Sequence, residues 1–402
     1  MIKIAILGFG VVGSGTAEVL TENKALIESR LGCEYEIRYI LDLRDFPDSP
    51  FGDRIVHDFN VILNDPEVTV VAEMMGGSHP AYDFTKACLE AGKNVVTSNK
   101  EVVSTFGVEL CAIAHAHGVR YLFEASVGGG IPVIRPMIND LSSNRIRKIS
   151  GILNGTTNYI LTSMRDQGAS FGDALSEAQK LGYAEANPSA DVDGIDAARK
   201  IVILAALASG KLADPKTIPT EGITRITLTD TKIAEAFGCS IKLIGHAKVA
   251  EDGKLTAFVS PRMVPAANPL SGIDGVFNGI LVDANMVGEV MFYGPGAGKL
   301  PTASAVVADI IDIIANRNAQ VKPIVWEAAG DADMADFKEY SCRRLLVLKD
   351  TKALPAAISA EATIREIDGA AGALVAPMTE AEAGALANTL GDSLLAIYRV
   401  LD

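Results

Sequence analysis

The first thirteen residues constrain the fold more than any other stretch. Ile2 to Leu7 is apolar except for Lys3, a short continuous run of the kind that forms a central strand of a parallel sheet. It ends in Gly8-Phe9-Gly10-Val11-Val12-Gly13, and a helix-compatible stretch follows to about Arg30. In a GxGxxG turn between strand and helix each glycine has a physical purpose. Gly8 permits the tight turn, Gly10 lets the backbone approach a pyrophosphate, and Gly13 lets helix pack closely on strand. The helix N-terminus then faces the anion. A dinucleotide-binding unit is expected at the start of the chain.

A second strand, Glu36 to Leu41, ends at Asp42, where an acidic residue would accept from ribose hydroxyls and repel a 2′-phosphate. Arg44, two residues on, could instead stack on or pair with such a phosphate, so the pair leans toward NAD over NADP. Further apolar runs are Val68 to Met75, ending in Gly76-Gly77, then Asn94 to Thr97, ending in Ser98-Asn99-Lys100, and Arg120 to Phe123, leading into Glu124. Helical stretches at 81–91 and 106–117 separate them. This alternation specifies an α/β, Rossmann-type doubly wound parallel sheet, whose ligands bind beyond the carboxyl ends of the strands. Gly76, Lys100 and Glu124 would share that edge, with Lys100 placed to meet a nicotinamide or a substrate. In Glu124-Ala125-Ser126-Val127-Gly128-Gly129-Gly130-Ile131, three glycines leave backbone carbonyls free beside one carboxylate. That is the donor set of a hard cation, and equally the composition of a hinge.

Farther on, Asp193-Gly194-Ile195-Asp196-Ala197-Ala198-Arg199-Lys200 runs into the apolar stretch Ile201 to Ala208. A helix apolar all round is a buried helix. Asp196 and Lys200 are four apart and share a face, Asp193 extends that stripe, and Ile203 and Leu207 continue it into the core. An isolated Asp-Lys pair would more often be a salt bridge on a solvated first turn. The apolar continuation and Glu185 just upstream favour chemistry instead.

Composition excludes other classes. A net charge of −14 argues against nucleic acid and anionic membranes as partners. Five scattered cysteines with no CxxC read as reduced thiols of a cytoplasmic protein. No apolar run is long enough to span a bilayer, and Met1 leads straight into a strand, so no signal peptide is expected.

Taken in order, these strings resemble homoserine dehydrogenase: GFGVVG at 8–13, TSNKEVVS at 97–104, EASVGGGIPVI at 124–134, GILNGTTNYIL at 151–161, KLGYAEANPSADVDGIDAARK at 180–200 and YGPGAGKLPTASAVVADI at 293–310. The resemblance implies reversible hydride transfer between L-homoserine and L-aspartate 4-semialdehyde, in the route to threonine, methionine and isoleucine. It casts Lys200 as the proton-transfer residue, its pKa lowered by burial and by Lys100 while Asp196 opposes the shift. Glu185 and Asp196 would hold the substrate ammonium, with Asp193, Gly155 and Thr156 as further substrate contacts. The turn Gly8, Gly10, Val11, Val12 and Gly13, with Asp42, Arg44, Gly76, Lys100, Gly182 and Gly298, would contact NAD or NADP. Glu124 and the carbonyls of Val127, Gly129 and Ile131 would bind Na⁺ or K⁺.

Two departures stand out. Relatives that prefer NADP often carry Arg where this chain has Leu41. Many bacterial relatives end in a full ACT regulatory domain, whereas the region from about Met334 is short and Ala-rich between 353 and 373, as in a reduced ACT-like domain. The expected division is a dinucleotide domain at 1–130 with helix 302–316 packing back on it, an α+β catalytic and dimerisation domain at 131–300, and a tail at 334–402. An open catalytic sheet would need a partner at its edge, so a homodimer is expected. Other readings are an amino-acid dehydrogenase of the saccharopine-reductase type or a non-catalytic NAD(H) or amino-acid sensor. Aspartate-semialdehyde dehydrogenase would need a nucleophilic cysteine, and Cys88 and Cys111 fall in helical patterns.

Overall fold

The computed structural model describes residues 1–320 and 322–401 and divides the chain into two compact units. The first comprises Met1–Ser143, Val202–Pro215 and Gly294–Ala329. Its sheet contains β1 (Ile2–Leu7), β2 (Tyr35–Leu41), β3 (Ile55–Val56), β4 (Val68–Glu73), β5 (Asn94–Thr97) and β6 (Tyr121–Leu122), in the order β3-β2-β1-β4-β5-β6. All its pairings are parallel. The order reverses direction between β1 and β4, which puts a crevice beyond their carboxyl ends. Ile4, Ile6, Val70 and Val96 are buried with Ile310, Ile313 and Ile314 of the helix Lys299–Ala315. That helix also packs on the helix Val11–Glu22. The stretch after the glycine turn is two helices rather than one, Val11–Glu22 and Lys24–Leu31. Asn23 interrupts them at φ −97° and ψ 15°, a short polar residue that favours helix ends over interiors. A small parallel pair, β8 (Lys211–Leu212) with β13 (Glu327–Ala328), also belongs to this unit.

The second unit comprises Asn144–Ile201, Lys216–Tyr293 and Gly330–Asp402. Its strands are β7 (Ile146–Ile152), β9 (Cys239–Val249), β10 (Leu255–Pro265), β11 (Phe277–Ala284), β12 (Gly288–Pro295), β14 (Ser341–Leu348), β15 (Thr363–Ile367), β16 (Ala370–Thr379) and β17 (Leu394–Val400). They form one mixed sheet in the order β12-β11-β7-β9-β10-β17-β14-β16-β15.

The tail is not reduced. β14, the helix Ala356–Glu361, β15, β16, the helix Glu380–Leu390 and β17 form a β-α-β-β-α-β arrangement of ferredoxin-like order, with its own core of Leu346, Leu348, Leu386 and Leu390. Of its alanines, Ala371 and Ala373 are buried in that core, while Ala353, Ala356, Ala357 and Ala360 are exposed. Parallel pairing of Arg262 with Arg399 joins β17 to β10, so the tail continues the sheet of the second unit. The units therefore cross the expected boundaries at 130, 300 and 334, because the chain returns to the first unit twice. Asp402, the last residue of the expected tail, lies outside the described residues. Among the described residues no helix is long and apolar enough to cross a membrane.

Candidate active site

Lys200 lies on the helix Ile195–Ser209 and is buried with Asp196. Its Nζ donates to Asp196 Oδ2 at 2.7 Å and to the carbonyl of Leu153 at 2.7 Å. Leu153 directly follows β7, and the next residue, Asn154, completes the group. Asn154 Nδ2 donates to Asp196 Oδ2 at 2.9 Å and to Asp191 Oδ1 at 2.7 Å. Its Oδ1 accepts from the Thr157 amide at 2.9 Å, capping the helix Gly155–Gln167. One asparagine thus ties a helix start to an ion pair carried by another helix. Asp193 lies off the expected stripe: it is exposed and precedes the helix, because Gly194 turns the chain at φ +83°. Asp191 takes its place. Ile203 is buried as expected, while Leu207 is half-buried.

Asn154 and Asp191 escaped the sequence reading. An Asn immediately before a helix-forming stretch was the available signal for the first. Thr156 Oγ1 donates to the Tyr183 carbonyl at 2.5 Å, so Gly155-Thr156 adjoins the Gly182-Glu185 loop. Glu185 is exposed, and its backbone carbonyl accepts from Gln179 Nε2. Its carboxylate is outside the hydrogen-bonded group around Lys200.

In the first unit, Gly8 adopts φ +89°, and a Cβ on Gly13 would fall 1.9 Å from the Gly8 carbonyl. A Cβ on Gly10 would meet nothing within 4 Å, leaving the approach to the backbone open. The helix after Gly10 has no side-chain cap and no acidic residue in its first turn, and Val11 is exposed with Val12 half-buried beside it. Its first-turn amides are therefore not taken by a side-chain cap, as an anion site requires. Gly298 precedes a second helix start without a side-chain cap, and that helix passes over Gly15, whose Cβ would lie 2.8 Å from the Lys299 carbonyl. These features fit a dinucleotide.

Asp42 is already engaged. Its Oδ2 accepts from the Phe9 amide at 2.8 Å, and Arg44 grips both oxygens, Nε to Oδ1 at 3.0 Å and Nη2 to Oδ2 at 3.1 Å. The Arg44 guanidinium foremost, with the two backbone amides, holds the carboxyl at about 2. Arg44 therefore points at the carboxylate rather than lying free in the loop.

At the carboxyl ends of β4 and β5, Glu73 is fully buried. Its Oε1 accepts from the Met75 amide at 2.7 Å and its Oε2 from Thr97 Oγ1 at 2.6 Å. Thr97 Oγ1 accepts from the Asn99 amide at 2.9 Å, and Asn99 Nδ2 donates to the Gly77 carbonyl at 2.8 Å. Asn99 also caps the helix Lys100–Ala116, which begins earlier than expected and makes the half-buried Lys100 its first residue. Gly76 sits in the loop so held, at φ +77°. Burial pushes the Glu73 carboxyl above the usual range, against the hydrogen bonds that favour its ionised form. The run VVAEMM carried no periodic signal for it.

The buried Glu124 accepts three backbone amides: Val133 at 2.7 Å and Ile134 at 2.8 Å on Oε1, and Arg135 at 2.7 Å on Oε2. Its own amide donates to Asp309 Oδ2 at 2.8 Å, and Asp309 Oδ1 accepts from Arg135 at 2.6 Å. Burial, then the charge of Glu124, pushes Asp309 up to about 7. A Cβ on Gly129 would fall 2.4 Å from the Gly296 carbonyl, so this glycine serves close backbone packing. The carbonyls of Val127, Gly129 and Ile131 accept none of the hydrogen bonds found among the described residues. The Glu124 carboxylate is engaged by backbone amides on both oxygens.

A glycine turn at a topological switch point and a buried lysine paired with an aspartate define a nicotinamide-dependent oxidoreductase. Family models match twice: "Homoserine dehydrogenase, NAD binding domain" over residues 8–124 and "Homoserine dehydrogenase" over residues 132–311. The homoserine dehydrogenase of Synechocystis sp. is 44% identical over 78% of this chain and 73% of its own length. That of Helicobacter pylori is 41% identical over 89% and 85%. The crystal structure of a homoserine dehydrogenase from Thiobacillus denitrificans superposes with a TM-score of 0.90 at 34% identity, covering 100% of this chain and 98% of that one. A hyperthermophilic archaeal homoserine dehydrogenase mutant in complex with NADPH matches with a TM-score of 0.67 at 29% identity, over 80% and 99%. The chain belongs to the homoserine dehydrogenase family. The saccharopine-reductase-like and sensor readings are not favoured. Cys88 and Cys111 are buried, and burial pushes both thiols up to about 12, which disarms them as nucleophiles.

Proposed function

We propose that the protein interconverts L-homoserine and L-aspartate 4-semialdehyde with a nicotinamide dinucleotide, and that Lys200 moves the proton. The observation that carries this reading is the buried Lys200 ammonium, set by Asp196 and the Leu153 carbonyl. When bound, the nicotinamide supplies or accepts the hydride. Negative charge grows on the aldehyde oxygen during reduction, and a fixed ammonium there stabilises it and donates the proton. In the reverse direction Lys200 takes the hydroxyl proton, directly or through a water. Lys100 is assigned to the nicotinamide side. Glu185, Asp196 and Asp193 are assigned to the substrate ammonium, and Gly155 and Thr156 to the substrate, with Asp191 and Asn154 orienting Asp196. Gly8, Gly10, Val11, Val12, Gly13, Gly76, Gly182 and Gly298 would line the cofactor.

NAD is favoured over NADP, because an ionised Asp42 repels a 2′-phosphate. Arg44 would have to release Asp42 to serve that phosphate. Glu124 with the Val127, Gly129 and Ile131 carbonyls would hold Na⁺ or K⁺ and fix the loop before Val133. A homodimer through the second unit is proposed from β12, an edge strand that exposes Met291 and Tyr293. Five free cysteines agree with a cytoplasmic location. The deciding assay is the absorbance of reduced nicotinamide on mixing the protein with L-homoserine and NAD or NADP. No reduction with either cofactor would overturn the reading.

A further inference from the structure

We infer that Glu73 is a positioning residue for the cofactor, holding the two loops that carry Gly76 and Lys100 in one hydrogen-bonded ring at the crevice. The inference rests on the reading that a dinucleotide binds at that edge. In register, Glu73 lies opposite Leu7 of β1 and Thr97 of β5, at the ends of the three central strands. Its two oxygens reach in opposite directions along the chain. Oε1 holds the Met75 amide, and a Cβ on Gly8 would fall 3.0 Å from Met75 Cα, so the held segment packs directly against the glycine turn. Oε2 takes the only proton of the Thr97 hydroxyl, which leaves that oxygen to accept from the Asn99 amide. Asn99 closes the ring on the Gly77 carbonyl and caps the helix that Lys100 begins. Glu73 itself is buried, so it acts through the loops and not on the ligand.

A carboxyl with no solvent access costs free energy unless several donors meet it. Sheet stability does not call for a carboxyl here: the flanking β4 positions are filled by Val70, Val71 and Ala72. What the carboxyl adds is a shared side-chain acceptor between the two loops, beside the backbone bond from the Ser98 amide to the Glu73 carbonyl at 3.4 Å. A glutamine keeps the shape but replaces one acceptor by an amide N–H: turned to Met75 it opposes that amide, and turned to Thr97 it makes the hydroxyl an acceptor and deprives the Thr97 proton of its partner.

The test is fluorescence titration of the purified full chain with NADH and with NADPH, on Glu73→Gln, Thr97→Val and Thr97→Ser. Losing one such bond corresponds to a rise in cofactor Kd of about tenfold. That rise is expected in Glu73→Gln and Thr97→Val, while Thr97→Ser, which keeps the hydroxyl, restores Kd to within about twofold. The homoserine KM should move much less than the cofactor Kd. If Glu73→Gln does not fold, Thr97→Val decides alone. Folded variants with a lowered Tm and an unchanged cofactor Kd would overturn the inference and reduce the ring to a structural one. If the wild type binds neither dinucleotide, it is the underlying reading that fails.

Discussion

Replacing Lys200 by methionine separates what this side chain does for the fold from what it does for the reaction. The substitution keeps most of the buried volume but removes the donations to Asp196 and to the Leu153 carbonyl. Breaking a buried ion pair from one side typically costs ~3–5 kcal/mol, because the remaining charge is left uncompensated. Asn154 still donates to Asp196, so the lower end applies. A cost of ~3 kcal/mol corresponds to a fall in Tm of ~6–12 °C for a unit of this size. Adding Asp196→Asn removes the stranded charge, and about 2 kcal/mol should return. The remainder, about 1 kcal/mol, reflects the Leu153 carbonyl without its donor. Turnover should behave differently: kcat falls by at least ~10²-fold in the single variant and stays down in the double, with cofactor Kd nearly unchanged. Differential scanning calorimetry gives the first quantity and a stopped-flow or steady-state nicotinamide assay the second. Recovery of turnover in parallel with Tm would show that Lys200 only supports the fold, and the proton-transfer assignment would fall.

Other expectations follow from single groups. The wild type should show a higher kcat/KM with NAD than with NADP at equal pH and ionic strength, and Asp42→Ala should narrow or reverse the ratio. A clear preference for NADP in the wild type would mean that Arg44 outweighs Asp42. Activity should depend on Na⁺ or K⁺, and Glu124→Gln should weaken that dependence; equal rates in salts of large organic cations would refute the cation site. His246 is buried against Ser150 Oγ at 3.0 Å, and burial, then the Arg262 charge, lowers its pKa well below the ordinary value of 6.5. The folded state thus binds fewer protons, so its stabilising contribution is complete above pH 6.5 and lost as pH falls below it. Chemical denaturation should show a slope from this group that grows toward about 1.4 kcal/mol per pH unit as pH falls from 7 to 5, and that His246→Leu abolishes. An unchanged slope in that variant would place the acid sensitivity elsewhere.

Much of this protein was legible from one dimension because its signals are local. A strand followed by GxGxxG announces its own geometry: the 1.9 Å approach at Gly13 is settled by neighbours a few residues away. The same holds for the pairing of Lys200 with Asp196, which needs only a helix of the right register. Residues whose role depends on a distant partner were not legible. Asn154 meets Asp191 and Asp196 from another element, Glu73 meets Thr97 across two strands, and Asp309 meets Glu124 from 185 residues away. Asp193 was misplaced because one glycine at φ +83° broke the helical extrapolation. Arg44 turned onto Asp42 because a carboxylate two residues away outcompetes water for a guanidinium. The alanines at 371 and 373 looked like a degraded tail, yet they are small because helices pack closely on that sheet. Local pattern determined the secondary structure, the cofactor turn and the lysine pair. The orientation of carboxylates in the interior was decided only by folding, since burial and distant donors, not sequence spacing, set where a charge can rest.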